Sequence, residues 1–257
     1  RFLLARKETM NESFQKILSV NSFAAELFRQ NLESLSYDHP ARLWLMRRGI
    51  GKEAIDIFKI GIAFDNLGIL PRDLHQRGLR LRDAEAAALV KSDYGKGCRS
   101  VFRNRLIFPI QNVGGDFIGF TARNNLLQPG PRYLGPMDTP VFDKKDRFYG
   151  FHQARPAIEA ANQVIIVDGV LDMIGLYMSG IKNVVSMMGM YLYPEQAIEL
   201  KKLGLEIIMW LHSNEVGWSH LYRNLHMLRN RKVPTRGVWL TRGFSPREFV
   251  QLAGPDR

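Results

Sequence analysis

The sequence predicts two subdomains: an α+β N-terminal subdomain of basic character over residues 1–155, followed over residues 156–257 by an α/β subdomain with a mainly parallel sheet. Three observations predict this. Apolar residues recur at helical spacing near the start and give way to a strand–turn–strand pattern in the middle of the chain. The C-terminal part alternates short β-branched strands with helices, the pattern of parallel sheets. The 36 Lys and Arg outnumber the 25 Asp and Glu, for a formal charge of +11.

From Glu8 to about Leu35, the residues Phe14, Ile17, Leu18, Phe23, Leu27 and Phe28 recur with a helical period, which predicts one long amphipathic helix or a helical pair. Pro40 to Ile62 reads as two short helices. Ala41 to Gly49 ends on a glycine suited to a C-terminal cap, Lys52 to Phe58 restarts, and Gly61 opens an extended segment. Arg105 to Ile110 and Phe117 to Thr121 read as strands joined by a turn at Asn112–Asp116, hence a hairpin. The stretch from Asn124 to Pro140 contains Pro129, Gly130, Pro131, Gly135 and Pro136, too many breakers for regular structure, and is expected to be a loop. The subdomain boundary is placed near Arg155-Pro156. Beyond it, Val164–Val167, Asn183–Ser186, Glu206–Leu211 and Gly237–Leu240 read as strands, with helices over Leu171–Ser179, Pro194–Lys202 and Val216–Arg229.

An apolar fraction of 46% with 24% charged residues is that of a folded globular chain, which excludes general disorder. The positive charge favours a polyanionic partner, because neutralising phosphates releases condensed counterions; nucleic acid is the first expectation. The single cysteine, Cys98, excludes an internal disulfide framework and a cysteine-rich zinc module within these residues, and fits a cytoplasmic or other reducing, nucleic-acid-containing compartment. No apolar run approaches the ~20 residues of a membrane span, so no membrane partner is expected. The chain begins at Arg1 and is expected to be a fragment, with its second subdomain truncated at the C-terminal end.

Ligands of open α/β sheets bind beyond the carboxyl ends of the strands, which selects Asp168, Ser186–Gly189, His212–Glu215 and Thr241–Ser245. Around these positions the chain carries Trp44-Leu-Met-Arg-Arg-Gly-Ile50, Phe102-Arg-Asn-Arg-Leu-Ile-Phe-Pro-Ile110, Gly119-Phe-Thr-Ala-Arg123, Pro131-Arg-Tyr-Leu134, Thr139-Pro-Val-Phe142 with Lys144, Phe148-Tyr-Gly150 and Val167-Asp-Gly-Val-Leu-Asp-Met-Ile174. In this order, the motifs resemble the bacterial DnaG-type DNA primase core, a basic N-terminal subdomain followed by a TOPRIM subdomain. The resemblance implies a basic track for single-stranded template that includes Arg103, Arg105, Arg123, Arg132 and Lys144, with Tyr133 offering a ring on which a base can stack. It also implies that Asp168 and Asp172 stand where the family has the glutamate and aspartate that open its metal site.

Elsewhere the sequence departs from the family pattern. His212 and Asn214 occupy the third-strand aspartate pair, with Glu215-Val-Gly217 following in place of the family's run to Ala-Gly. Ser245 and Arg247 occupy the two carboxylates of the later Asp-Pro-Asp. Losing four negative charges and gaining one cation changes the formal charge of the site by about five units, against a divalent ion that takes hard oxygen ligands. The expectation is therefore a DnaG primase-like protein without catalysis, with no cofactor, that binds single-stranded DNA or RNA or a replication protein through a basic groove. One alternative is an active primase, a nucleotidyltransferase with an atypical metal site, in which Asp168 and Asp172 hold magnesium or manganese, or join His212 in holding a transition metal. The other is a structural subunit of a larger assembly.

Overall fold

The computed structural model describes residues 12–66, 68–93, 97–124, 130–240 and 243–253. The chain divides into two compact units between Lys144 and Lys145.

In the first unit, α1 (Glu12–Glu33) is one continuous helix rather than a pair, and residues 8–11 lie outside the described part. It buries Ile17, Val20, Ala24, Phe28 and Leu32, the stripe that its 3.6-residue period sets. Two short helices follow, α2 (Pro40–Met46) and α3 (Lys52–Phe58). Pro40 begins α2 at a position where its missing N–H costs nothing, and His39 caps it by accepting the Ala41 N–H. After β1 (Gly61–Ala63) come α4 (Ile69–Gln76), α5 (Leu81–Ala86) and a hairpin of β2 (Val90–Asp93) and β3 (Gly97–Ser100). From α4 to β3 no segment is long enough for a period to emerge in the sequence. The predicted hairpin forms as β4 (Arg105–Gln111) and β5 (Phe117–Arg123), and a short β6 (Tyr133–Leu134) within the expected loop pairs with β5.

The resulting antiparallel sheet has the order β1-β4-β5-β6. Pro109 is tolerated inside β4 because β1 pairs only as far as Ile107, so the strand has a neighbour on one side at that point. Phe28 of α1 meets Phe102 and Phe120 edge-on at centroid distances of 6.3 and 5.9 Å, tying the helix to the sheet. Burying each such ring contributes about 1.5–3 kcal/mol.

The second unit opens with α6 (Phe151–Ala161), a helix that passes through Arg155-Pro156 and that the proline hid from the sequence reading. Strand and helix then alternate: β7 (Gln163–Val167), α7 (Val170–Met178), β8 (Val184–Ser186), α8 (Pro194–Leu203), β9 (Glu206–Trp210), α9 (Glu215–Asn230), β10 (Thr235–Val238) and α10 (Pro246–Ala253). All pairings in the sheet β10-β9-β7-β8 are parallel. The last strand lies two residues earlier than predicted. The Ile207 N–H donates to the Pro234 carbonyl and sets the register there, whereas the Leu240 N–H leaves the ladder for the Ser213 hydroxyl. From β7 the chain steps to β8 on one side, then crosses to β9 and β10 on the other. The carboxyl end of β7 is thus a topological switch point, where such sheets open a crevice.

Candidate functional site

At the end of β7, the chain turns through Asp168-Gly169 into α7. Asp168 Oδ1 accepts the Gly169 N–H at 3.0 Å, and the Ser186 hydroxyl, at the end of β8, donates to the Asp168 carbonyl at 2.9 Å. Asp172 follows in the first turn of α7, where the helix dipole favours an anion, yet it is only 7% exposed. His212, just past β9, places Nδ1 3.6 Å from Asp168 Oδ2. One ligand atom from each of Asp168, Asp172 and His212 lies within 4.8 Å of the others, so the fold gathers two carboxylates and an imidazole at one strand end.

The three remaining family positions lie at helix starts, and the Ser245 hydroxyl also hydrogen-bonds the Asp172 carboxylate. Asn214 is the N-cap of α9, its Oδ1 accepting the Gly217 N–H at 2.8 Å. Ser245 forms a capping box at the start of α10: its hydroxyl accepts the Glu248 N–H at 3.2 Å, while Glu248 Oε2 accepts the Ser245 N–H at 3.0 Å. Aspartate also caps helices well, so a carboxylate at either position would fit the same cap. Arg247 was expected to bring a cation into the site. Its stem packs instead on Gly175 of α7 and its Nη1 donates to Gln251 at 2.8 Å, so what it offers Asp172 is a backbone N–H at 3.3 Å. Glu215, the first residue of α9, is exposed. Thr241 lies outside the described residues. The sequence reading missed α10, although Ser245-Pro-Arg-Glu248 carries its start signal, a capping box with proline at the first helical position.

Burial pushes the Asp172 carboxyl above its ordinary range, and the nearby Asp168 charge adds to this. His212 is also raised, chiefly by its pairing with Asp168. A raised folded-state value means that the stabilisation is complete below the unfolded value and is lost as pH rises through the folded one. The stability difference between the native protein and His212→Asn is therefore expected to shrink as pH is raised from about 5.5 to about 8, the window above the ordinary histidine value of ~6.5 included. Thermal unfolding of both proteins across this range checks it; a difference that grows with pH contradicts the pairing.

In the first unit the residues of the expected basic track separate into two groups. Arg105 is buried, its Nη1 donating to the Pro131 carbonyl at 2.9 Å, and burial lowers its affinity for its proton. Arg123 is buried as well. Its guanidinium carbon lies 4.7 Å from both the Trp44 and the Tyr133 ring centroids and it donates to the Tyr133 hydroxyl, while Arg48 covers Trp44 at 3.7 Å. Cation and ring thus alternate from Arg48 to Tyr133, a contact set that brings Trp44, quoted above only as part of a motif, beside the basic track. Arg103 precedes β4, which starts at Arg105 and is covered, so the two arginines do not share one exposed face. Arg103, Arg132 and the 44%-exposed Tyr133 reach the surface; Arg103 pairs with Asp65, and Lys144 is half-buried. Of the methionines after β8, Met187 is core and Met190 is 55% exposed.

Sheet order, acidic strand end and helix caps define a Toprim-type domain behind a basic α+β unit. The pattern of the DNA primase catalytic core N-terminal domain matches residues 27–155 and that of the Toprim domain residues 162–236, and the chain belongs to the DNA primase family with the DnaG fold. The DNA primase of Halalkalibacterium halodurans is 31% identical over 248 residues, which cover 96% of this chain and 41% of that protein; the chain thus spans about two fifths of the length of that relative. A DNA primase domain from Pseudomonas aeruginosa superposes with a TM-score of 0.85 at 28% identity, covering 93% of this chain and 75% of that one. A DnaG primase catalytic domain solved bound to ssDNA shares the fold, with a TM-score of 0.80 at 22% identity over 94% of this chain and 78% of that one. Among the described residues, no helix is long and apolar enough to cross a membrane.

Proposed function

We propose that this chain is a primase-type core that has set aside two-metal catalysis and binds single-stranded nucleic acid through the basic surface of its first unit. The observation that carries this reading is the fate of the lost carboxylates: Asn214 and Ser245 use their side-chain oxygens as helix caps, and the Arg247 guanidinium turns to Gln251. What is left, Asp168, Asp172 and His212, suits a single cation that accepts imidazole better than a pair of magnesium ions, which need more negative charge. Such a cation, when bound, supplies Lewis acidity toward a phosphoryl oxygen. The chain's own contribution there is a buried carboxyl at Asp172 and an imidazole held by Asp168. Arg132 and Tyr133 at the surface, backed by the Arg48–Trp44–Arg123 stack, support contact with phosphate and base.

The same three-residue cluster favours one other reading, an active primase with an atypical metal site. Primer synthesis on a single-stranded template with magnesium, then manganese, separates the two. No product is expected; product that disappears in Asp172→Ala overturns the proposal. Binding to single-stranded oligonucleotides is expected to weaken as salt rises, and Arg132→Ala with Lys144→Ala together to flatten the log–log salt slope by about 1.4. Binding indifferent to salt would remove the nucleic-acid part.

A further inference from the structure

The outer face of α9 carries rings where a solvated helix would carry charge. Trp218, Tyr222 and His226 follow one another at four-residue spacing, opposite the buried Gly217, Leu221, Asn224 and Leu228, so successive side chains stand about 6 Å apart along one ridge. Trp218 is 51% and Tyr222 65% exposed. Trp239, which follows β10 and is itself 39% exposed, meets Trp218 edge-on at 5.0 Å, and Tyr222 stacks on His226 with ring centroids 6.3 Å apart. On the other shoulder of the helix, the Arg223 guanidinium lies 4.3 Å over Tyr191, whose ring also meets His220 at 4.7 Å. Neither the acidic strand end nor the first unit's basic surface uses these groups.

The charge around the rings indicates what covers them. From Glu215 to Trp239 the only carboxylate is Glu215 itself, whereas Arg223, Arg229, Arg231, Lys232 and Arg236 are cations, and among the described residues Arg236 alone of these pairs with a carboxylate, Glu206. A cation-flanked row of exposed rings, with Glu215 at its start as the one carboxylate of the segment, is complementary to a strand that has π-faces and phosphates in alternation, and every base offers such a face. We infer that the outer face of α9 is a stacking platform for single-stranded DNA, a contact separate from the Arg132–Tyr133 surface.

Titration with oligothymidylate, read by anisotropy of a labelled strand and by tryptophan emission, tests this. Binding is expected to quench the exposed Trp218 and Trp239. The doubly substituted Trp218→Ala/Tyr222→Ala protein, whose changes lie at exposed positions, is expected to bind at least about tenfold more weakly and to lose the quench. Arg132→Ala/Lys144→Ala should weaken binding while leaving the quench at saturation intact. Unchanged affinity in the doubly substituted aromatic variant overturns the inference, as does a wild-type dimer that this variant dissociates, since the face would then belong to a second copy. Loss of affinity in the aromatic variant alone would retire the first-unit reading and leave this one standing.

Discussion

Restoring the carboxylates, with His212→Asp, Asn214→Asp, Ser245→Asp and Arg247→Asp together, is expected to tighten magnesium binding by at least about 100-fold. Two unit charges 4 Å apart attract by about 4 kcal/mol at an effective dielectric of about 20, so realising a small part of four added charges yields the ~2.7 kcal/mol that this factor requires. The fold should tolerate the change, because aspartate caps helices as Asn214 and Ser245 do, and a negative charge at the starts of α9 and α10 suits their dipoles. Calorimetric titration of both proteins with magnesium and manganese decides the matter. The unsubstituted chain is expected to take up one manganese through Asp168, Asp172 and His212, with protons released at low pH as His212 gives up its own. Equal magnesium affinity in the two proteins would mean that the cap residues already ligate metal.

Gly217→Ala should lower the stability of the second unit by about 4 kcal/mol or more. A Cβ at position 217 would fall on the His212 carbonyl oxygen and within 2.8 Å of its carbon, both backbone atoms with nowhere to yield. To make room, α9 would have to back away from the end of β9, breaking the Asn214 cap and moving His212 off Asp168. For a chain of this size, the midpoint should fall by about 10 °C or more. Gly51→Ala serves as the control, since nothing lies within 4 Å of its added carbon and its φ of −86° suits any residue; a change under about 0.5 kcal/mol is expected there. A Gly217→Ala midpoint within a degree or two of the parent would show that the approach of α9 to His212 is looser than described.

Much of this was legible in the sequence because it is written in local pattern. The β-branched runs at Val164–Val167 and Glu206–Trp210 fix buried strands, the alternation with helices fixes a parallel sheet, and the breakers around Gly130 mark a loop. Asp168 follows from the same reasoning, since strand ends in such sheets are where ligands sit, whereas Asp172 came from the resemblance to the primase core. Elements that are short, such as α4, α5 and the β2–β3 hairpin, have too few residues to show a period; α6 shows one but is interrupted by Pro156.

Side-chain direction was not legible. Sequence alone determined that this is an α+β unit followed by a Toprim-type sheet, and its resemblance to the primase core implied that His212, Asn214, Ser245 and Arg247 stand at carboxylate positions of the family. Only the tertiary structure decided what the replacements do. Whether an arginine charges a site depends on which neighbours its guanidinium reaches, and for Arg247 those are Glu248 and Gln251, both on α10. Whether a basic residue faces solvent depends on what covers its strand, and Arg105 and Arg123 lie buried where Arg132 does not. The rings of α9 form a row because residues four apart share a helix face, but only the packing of Gly217, Leu221 and Leu228 against the sheet chose which face was left to the outside.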